Sequence, residues 1–352
     1  MATHTASYVG YSRPSNITTN ARVILSIILL VPVFLFTDLV VGLRGIDVGS
    51  DTAVYAKVFS ELRNHLVESR FEPGFLLLTR LLSGLGFSLQ AYQCVLFGLL
   101  LVMVVLASRR YFDYLGSSRG FFTFLSASVM FMLFSPMFVN ASINAVRQGL
   151  ASLPVFMALL AFHQRQWRDF FIFGIVATCF HYSSLVYLAC APLLLINLKF
   201  LRIAAIIGFI AYCSGLTLIV VRSAVPSLYD AVMDYELGSK YKSGVRIDFA
   251  LFSIFWYLLP LFLSGLVRKP YSTRLKDSTA VYLVMLLPFF LLGWGNFSNR
   301  YLLSAYLAIS LMVAAIFFHS RLSMLRNPIL LRVGLIVSCA VFYYYVSNQV
   351  LV

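Results

Sequence analysis

Residues 23–43 read VILSIILLVPVFLFTDLVVGL, a run broken by a single acidic residue, Asp38. At about 1.5 Å per residue it is long enough to cross a hydrocarbon core of roughly 30 Å as one helix. It is too long for a signal-peptide core and no small-residue cleavage site follows, so it is expected to stay as an uncleaved first span. Comparable runs recur near 87–107, 120–139, 147–163, 168–198, 202–221, 249–267, 278–294, 301–318 and 330–350. The run 168–198 would reach about 46 Å as one helix, too far for a single span, and divides at the polar pair His181-Tyr182. The expected fold is an all-α polytopic integral membrane protein with about eleven transmembrane helices. Glu72 to Gly86 is amphipathic, carries Arg80 and is short for a crossing, so it is expected as a re-entrant or interfacial helix. Counting it as a crossing would move every later loop to the other side.

Composition agrees. Of 352 residues 61% are apolar and 11% charged, whereas a soluble domain carries roughly 25% charge. A soluble enzyme, a disordered scaffold and a disulfide-stapled secreted domain are excluded. Cys94, Cys179, Cys190, Cys213 and Cys339 all lie in apolar runs without zinc or redox spacing and read as small buried side chains.

The net charge of +14 is sorted by side. With the N-terminus inside, the inner stretches collect Arg13, Arg22, Arg109, Arg110, Arg119, Arg165, Arg168, Lys199, Arg202, Arg268, Lys269, Arg274, Lys276, Arg321, Arg326 and Arg332. Against these stand only Asp113, Asp169 and Asp277, a clear positive-inside pattern that removes any need for a nucleic-acid partner. Residues 1–21 become a cytoplasmic segment and 22–352 one transmembrane domain, with long outer loops at about 44–71 and 222–248.

The chemically versatile residues gather on the outer side. Arg44, Asp47 and the stretch Val48-Gly49-Ser50-Asp51-Thr52 lead into a short helix that Ser50 can cap and on which Asp51 and Tyr55 share a face. A capped surface helix with a local ion pair accounts for this as well as a binding site does. Glu72, just before Pro73, suits a helix cap or a carboxylate acting on a hydroxyl. Offsets of three and four place Asn144, Arg147 and Gln148 on one helix face, an anion-binding corner or a snorkelling arginine. His181, with Tyr182, Ser183 and Ser184, is a helix-end residue or a base at the same depth as Arg147. Asn296 precedes Arg300 by four residues, and Arg300 would add a second cation at that level, suited to a diphosphate. The loop 222–248 alternates in charge and reads as a solvated lid. No P-loop, HExxH or dinucleotide fingerprint is present, and Asp47, Asp51 and Glu72 match no defined metal loop, so neither a metal nor another cofactor is expected.

In order, Arg44 with Val48-Gly49-Ser50-Asp51-Thr52 and Tyr55, then Glu72-Pro73-Gly74-Phe75, Val146-Arg147-Gln148-Gly149-Leu150-Ala151 and His181-Tyr182-Ser183-Ser184, the chain resembles the EpsG family of Wzy-type polysaccharide polymerases. The motifs span residues 40 to 190; the remainder is similar by hydropathy alone. The resemblance implies a bacterial inner-membrane, GT-C-like glycosyltransferase. It would act at the periplasmic face on sugars carried by undecaprenyl diphosphate, moving the growing glycan onto the next lipid-linked repeat unit. A chain-length regulator and a flippase are the partners it implies.

That chemistry needs cations for the leaving diphosphate, for which Arg147, Arg300 and Arg44 are candidates, and a base for the acceptor hydroxyl, for which His181, Glu72 and Asp51 are ranked in that order. Tyr55, Asp47, Asn144, Gln148, Asn296 and Tyr182 are candidates for sugar contact. A flippase for the same lipid-linked sugar is the chief rival, although it should line a path to both faces with polar groups. A membrane acyltransferase using His181 is a second, and an O-antigen ligase differs only in its acceptor.

Overall fold

The computed structural model describes residues 16–63, 71–233, 244–295 and 298–350, and its regular elements are all helical. Helix α1 (Asn16–Gly42) contains the apolar run; the Thr37 hydroxyl bonds the Val33 carbonyl at 2.8 Å, which hides its polarity inside the helix. Two short helices follow, α2 (Thr52–Arg63) and α3 (Pro73–Gly84), before the long α4 (Leu89–Tyr114). The place where α4 starts decides the side of everything after it. Cys94 Sγ lies 3.9 Å from the Asp38 carbonyl near the end of α1, and Tyr92 Oη lies 3.0 Å from the Thr79 hydroxyl of α3. The chain therefore leaves α1 and enters α4 at the same end, and α3 does not cross. At 12 residues α3 reaches only about 18 Å. It buries Phe75, Thr79 and Leu82 and turns Leu77, Leu81 and Arg80 outward, as an interfacial helix should.

Helix α5 (Phe121–Leu133) rises to a bend of 81° into α6 (Pro136–Ile143). The run near 120–139 is thus not one straight helix: Pro136 at the first position of α6 ends one helix and begins the next, and the bent pair is either a broken span or a re-entrant loop. Helix α7 (Val146–His163) and α8 (Trp167–Phe180) form a tight hairpin, after which α9 (Ser184–Ala189) and a 3₁₀ turn (Ala191–Leu195) lead to α10 (Leu198–Cys213). A second bend, 86°, separates α10 from α11 (Leu216–Ala224), where Gly215 takes φ +76°. Then come α12 (Pro226–Met233), α13 (Ile247–Leu263), α14 (Tyr271–Leu292), a 3₁₀ turn (Ser298–Leu302), α15 (Leu303–His319) and α16 (Pro328–Ser347).

Among the described residues seven helices are long and apolar enough to cross a membrane, or nine if each bent pair is one span, and the protein is a multi-pass membrane protein. The count of about eleven is not reached by that measure, because 168–198 folds as a 14-residue α8 and a still shorter α9. Helix α7 is 89% buried over its apolar stretch and α14 and α15 are 78% buried, so they form the centre. Helices α1, α13 and α16, at 22–28%, form the lipid-facing rim.

The two ends differ. At one, Arg110 pairs with Asp169 at 2.7 Å, Ser117 Oγ meets His319 Nε2 at 2.8 Å and Arg274 donates to the Tyr114 carbonyl at 3.1 Å; this is the basic end. The outer-side candidates gather at the other, together with α2, α3 and α6.

Candidate functional site

Glu72 occupies the cap position of α3 yet makes no capping hydrogen bond, so its reading as a cap is set aside. With φ −63° and ψ 149° it turns its carboxylate inward, where the side chain is 4% exposed. Oε2 accepts from Arg147 Nη1 at 2.6 Å, and Oε1 lies 2.7 Å from His181 Nδ1 and 3.3 Å from the Tyr182 backbone N–H. Arg147 stands in the first turn of α7 and its guanidinium lies 4.4 Å above the Phe71 ring. His181 ends α8 in an extended conformation that points the ring at α3. Three distant segments thus meet on one carboxylate.

Burial raises the proton affinity of Glu72, but the His181 hydrogen bond and the charge on Arg147 more than reverse that and hold it at about 2. An ionised carboxylate only accepts hydrogen bonds, so Nδ1 of His181 carries a proton towards Glu72 and Nε2 is the ring nitrogen turned away from it. The imidazole is 21% exposed, enough for an incoming group to reach it.

A second layer is built on Asn144, in the turn between α6 and α7. The Ser50 hydroxyl and the Asp51 N–H donate to Asn144 Oδ1 at 2.6 and 3.1 Å, and Tyr55 donates its hydroxyl to the Asn144 carbonyl at 3.2 Å. Thr52 bonds the Ile143 carbonyl at 2.9 Å. The stretch 48–55 is therefore a dock for the α6–α7 turn, and Ser50 does not cap α2. Arg300 Nη2 meets Asp51 Oδ2 at 3.2 Å, while Gln148 donates to the Arg300 carbonyl and Tyr187 to the Tyr301 carbonyl at 2.8 Å. Tyr55, whose phenol burial keeps protonated, packs on Phe71 and Phe75 with centroids 5.7 and 5.5 Å away and joins the two layers.

The expected residues are thus mostly brought together, with corrections. Asn144, Arg147 and Gln148 do not share a face: Asn144 closes α6, Arg147 turns to α3 and Gln148 to the 3₁₀ turn. Arg147 and Arg300 are each paired with a carboxylate, and the Nε of Arg147 and Oε1 of Gln148 are buried with no hydrogen-bond partner among the described residues. Arg44 donates to the Val41 carbonyl at 2.6 Å; burial lowers it to about 10, which leaves it cationic at neutral pH. Tyr182 offers its backbone, its ring being 53% exposed, and Asp47 is exposed. Asn296 lies outside the described residues, as do parts of the loops at 44–71 and 222–248 and residues 1–15 of the N-terminal segment. Asp51 and Glu72 go to separate partners and do not form one ligand set. Phe71, the shelf under Arg147, was missed although it adjoins Glu72, because one aromatic beside a turn is indistinguishable in sequence from core.

Fold and site together define a class: a polytopic helical membrane protein with a buried, charge-paired polar site at one end of its bundle. Residues 27–351 match the model described as EpsG family, and the chain belongs to that family. Comparison with curated proteins and with solved structures gives no match.

Proposed function

We propose that the protein is a polysaccharide polymerase, a GT-C-like glycosyltransferase that moves a growing glycan from undecaprenyl diphosphate onto a lipid-linked repeat unit at the periplasmic face of a bacterial inner membrane. The observation that carries this reading is the Glu72–His181 pair beside Arg147 in a member of the EpsG family. Eleven crossings with a cytoplasmic N-terminus accompany it. In their favour, α8 returns from the basic end to His181 at the site end, and α9 with its 3₁₀ turn leads back to α10, whose Arg202 bonds Tyr257 at 2.9 Å.

In the reaction, the acceptor hydroxyl oxygen forms a bond to the anomeric carbon as the carbon–oxygen bond to the diphosphate breaks. The hydroxyl proton passes to His181 Nε2, and the diphosphate leaves with the electron pair. Glu72 does not take that proton; held at about 2, it fixes the imidazole and balances its charge once protonated. Arg147 meets the charge growing on the leaving group, with Arg300 beside it. Arg44 borders an apolar cleft of about 360 Å³ between α1 and α16, lined by Phe36, Leu39, Val40 and Tyr343, which suits a segment of the polyprenyl chain. Tyr182 and Asp47, both exposed, are assigned to sugar arriving from water.

A strain deleted for the gene and complemented with wild type, Arg147→Ala or His181→Asn tests this by polysaccharide ladder and extraction of lipid-linked intermediates. The expected result is loss of the ladder in both variants with single repeat units accumulating on the outer leaflet. Units retained on the cytoplasmic leaflet would make the protein a flippase, and an unchanged ladder would overturn both readings.

A further inference from the structure

At the basic end, remote from Glu72, the first residues of α5 and α16 and the last of α15 enclose a lateral cavity of about 330 Å³. Three guanidinium groups line it, those of Arg119, Arg268 and Arg326, together with Thr123 and no carboxylate. The acids of this end lie outside the cavity: Asp113 pairs with Arg109 at 2.9 Å, Asp169 with Arg110 at 2.7 Å, and Asp277 stands near Tyr114 and His163. Arg326 Nε is buried there with no hydrogen-bond partner among the described residues, whereas Arg268 Nε reaches the His319 carbonyl at 3.4 Å.

Backbone adds to this charge. Helix α5 opens at Gly120 with φ +85° and no side-chain cap, so N–H groups of its first turn lack intrahelical partners. Helix α16 opens at Pro328 in the same wall; Asn327 caps its Ile329 N–H at 2.9 Å, so it joins the three fixed cations through its dipole rather than through that donor. The rest of the wall is apolar, from Phe122, Phe318 and Leu331, and continues onto lipid-facing side chains of α1 and α16 such as Ile24, Ile28, Ile329 and Val333. A ligand that satisfies both parts has a phosphate head and hydrocarbon tails.

We propose that this cavity binds an anionic phospholipid, its phosphodiester among Arg119, Arg268 and Arg326 and its acyl chains along α1 and α16. Three cations without a carboxylate favour a net-negative headgroup over a zwitterionic one, whose ammonium would find no partner. The bound lipid ties α1, α5 and α16 together at the membrane surface, and it is independent of what the opposite end catalyses.

The test uses full-length protein purified in neutral detergent and stripped of lipid, with binding of phosphatidylglycerol, phosphatidylcholine and inorganic phosphate followed by native mass spectrometry. Phosphatidylglycerol is expected to bind in preference to phosphatidylcholine, and Arg119→Gln/Arg326→Gln to weaken it about thirtyfold. Arg168→Gln/Lys199→Gln, which removes the same charge from that end outside the cavity, is expected to leave it unchanged. Arg119 is exposed, so Arg119→Gln alone serves if the double variant does not fold. Equal affinity for the two lipids, equal loss in both double variants, or inorganic phosphate displacing phosphatidylglycerol would overturn the proposal.

Discussion

A carboxylate that accepts from a guanidinium, an imidazole and a backbone amide has little left to offer a proton, and Glu72 is in that position. Glu72→Gln keeps the shape but cannot fix the imidazole tautomer, and polymer formation is expected to fall by a factor on the order of 10⁴ in a ladder or in vitro transfer assay. Because folding lowers this group from 4.5 to about 2, its charge stabilises the fold fully above pH 4.5, and that contribution disappears as pH falls through about 2. The unfolding midpoint of wild type is therefore expected to drop more steeply than that of Glu72→Gln between pH 4.5 and 2, and the two to run parallel from pH 5 to 8. Arg147→Lys tests geometry apart from charge. An ammonium cannot both donate to Glu72 and lie flat on Phe71 as the planar guanidinium does, so the ladder is expected to be lost although the cation remains. Glu72, Arg147 and His181 each stood out in the sequence as a polar residue at an apolar boundary. That they touch was not legible, since separations of 75 and 109 residues leave no local pattern.

Helix α6 is short because it is gripped. A Cβ on Gly149 of α7 would stand 2.6 Å from the Ala141 carbonyl, and one on Gly49 would stand 2.6 Å from the Ile143 carbonyl. Gly149→Ala is expected to cost about 1–3 kcal/mol through overpacking. Gly49→Ala, at φ +89°, adds about 1–2 kcal/mol of left-handed backbone strain to its clash. Thermal unfolding in detergent measures both, and a midpoint unchanged by Gly149→Ala would mean that α6 does not rest on α7. Hydropathy located the spans because burial in lipid is a composition signal. It did not resolve the bend at Pro136 or the dock formed by Ser50 and Thr52, which depend on what lies opposite them. The signal for the bend was present in Ser135-Pro136, a turn-starting pair inside an apolar run.

For the whole molecule, the telling contact is between Asp38 and Cys94, since it shows that α1 ends where α4 begins and that α3 lies on one side between them. In a chain whose five cysteines are replaced, Ile46→Cys is expected to react with an impermeant maleimide on intact cells and Arg321→Cys only after permeabilisation. Labelling of both from outside would overturn the orientation. The charge asymmetry that suggests this orientation was fully legible, being a property of composition, while the inward convergence of α7, α14 and α15 was not, because their apolar faces look alike. The tie between Glu72 and His181 also sets a clock. Ribosomes add about 5–20 residues per second, so this carboxylate is made about 5–20 seconds before the imidazole that will hold it. During that interval α3 can already settle on Tyr92 of α4, but the Glu72 carboxylate waits without its imidazole, and a translocon or chaperone that shelters nascent polar segments becomes part of how this protein is born.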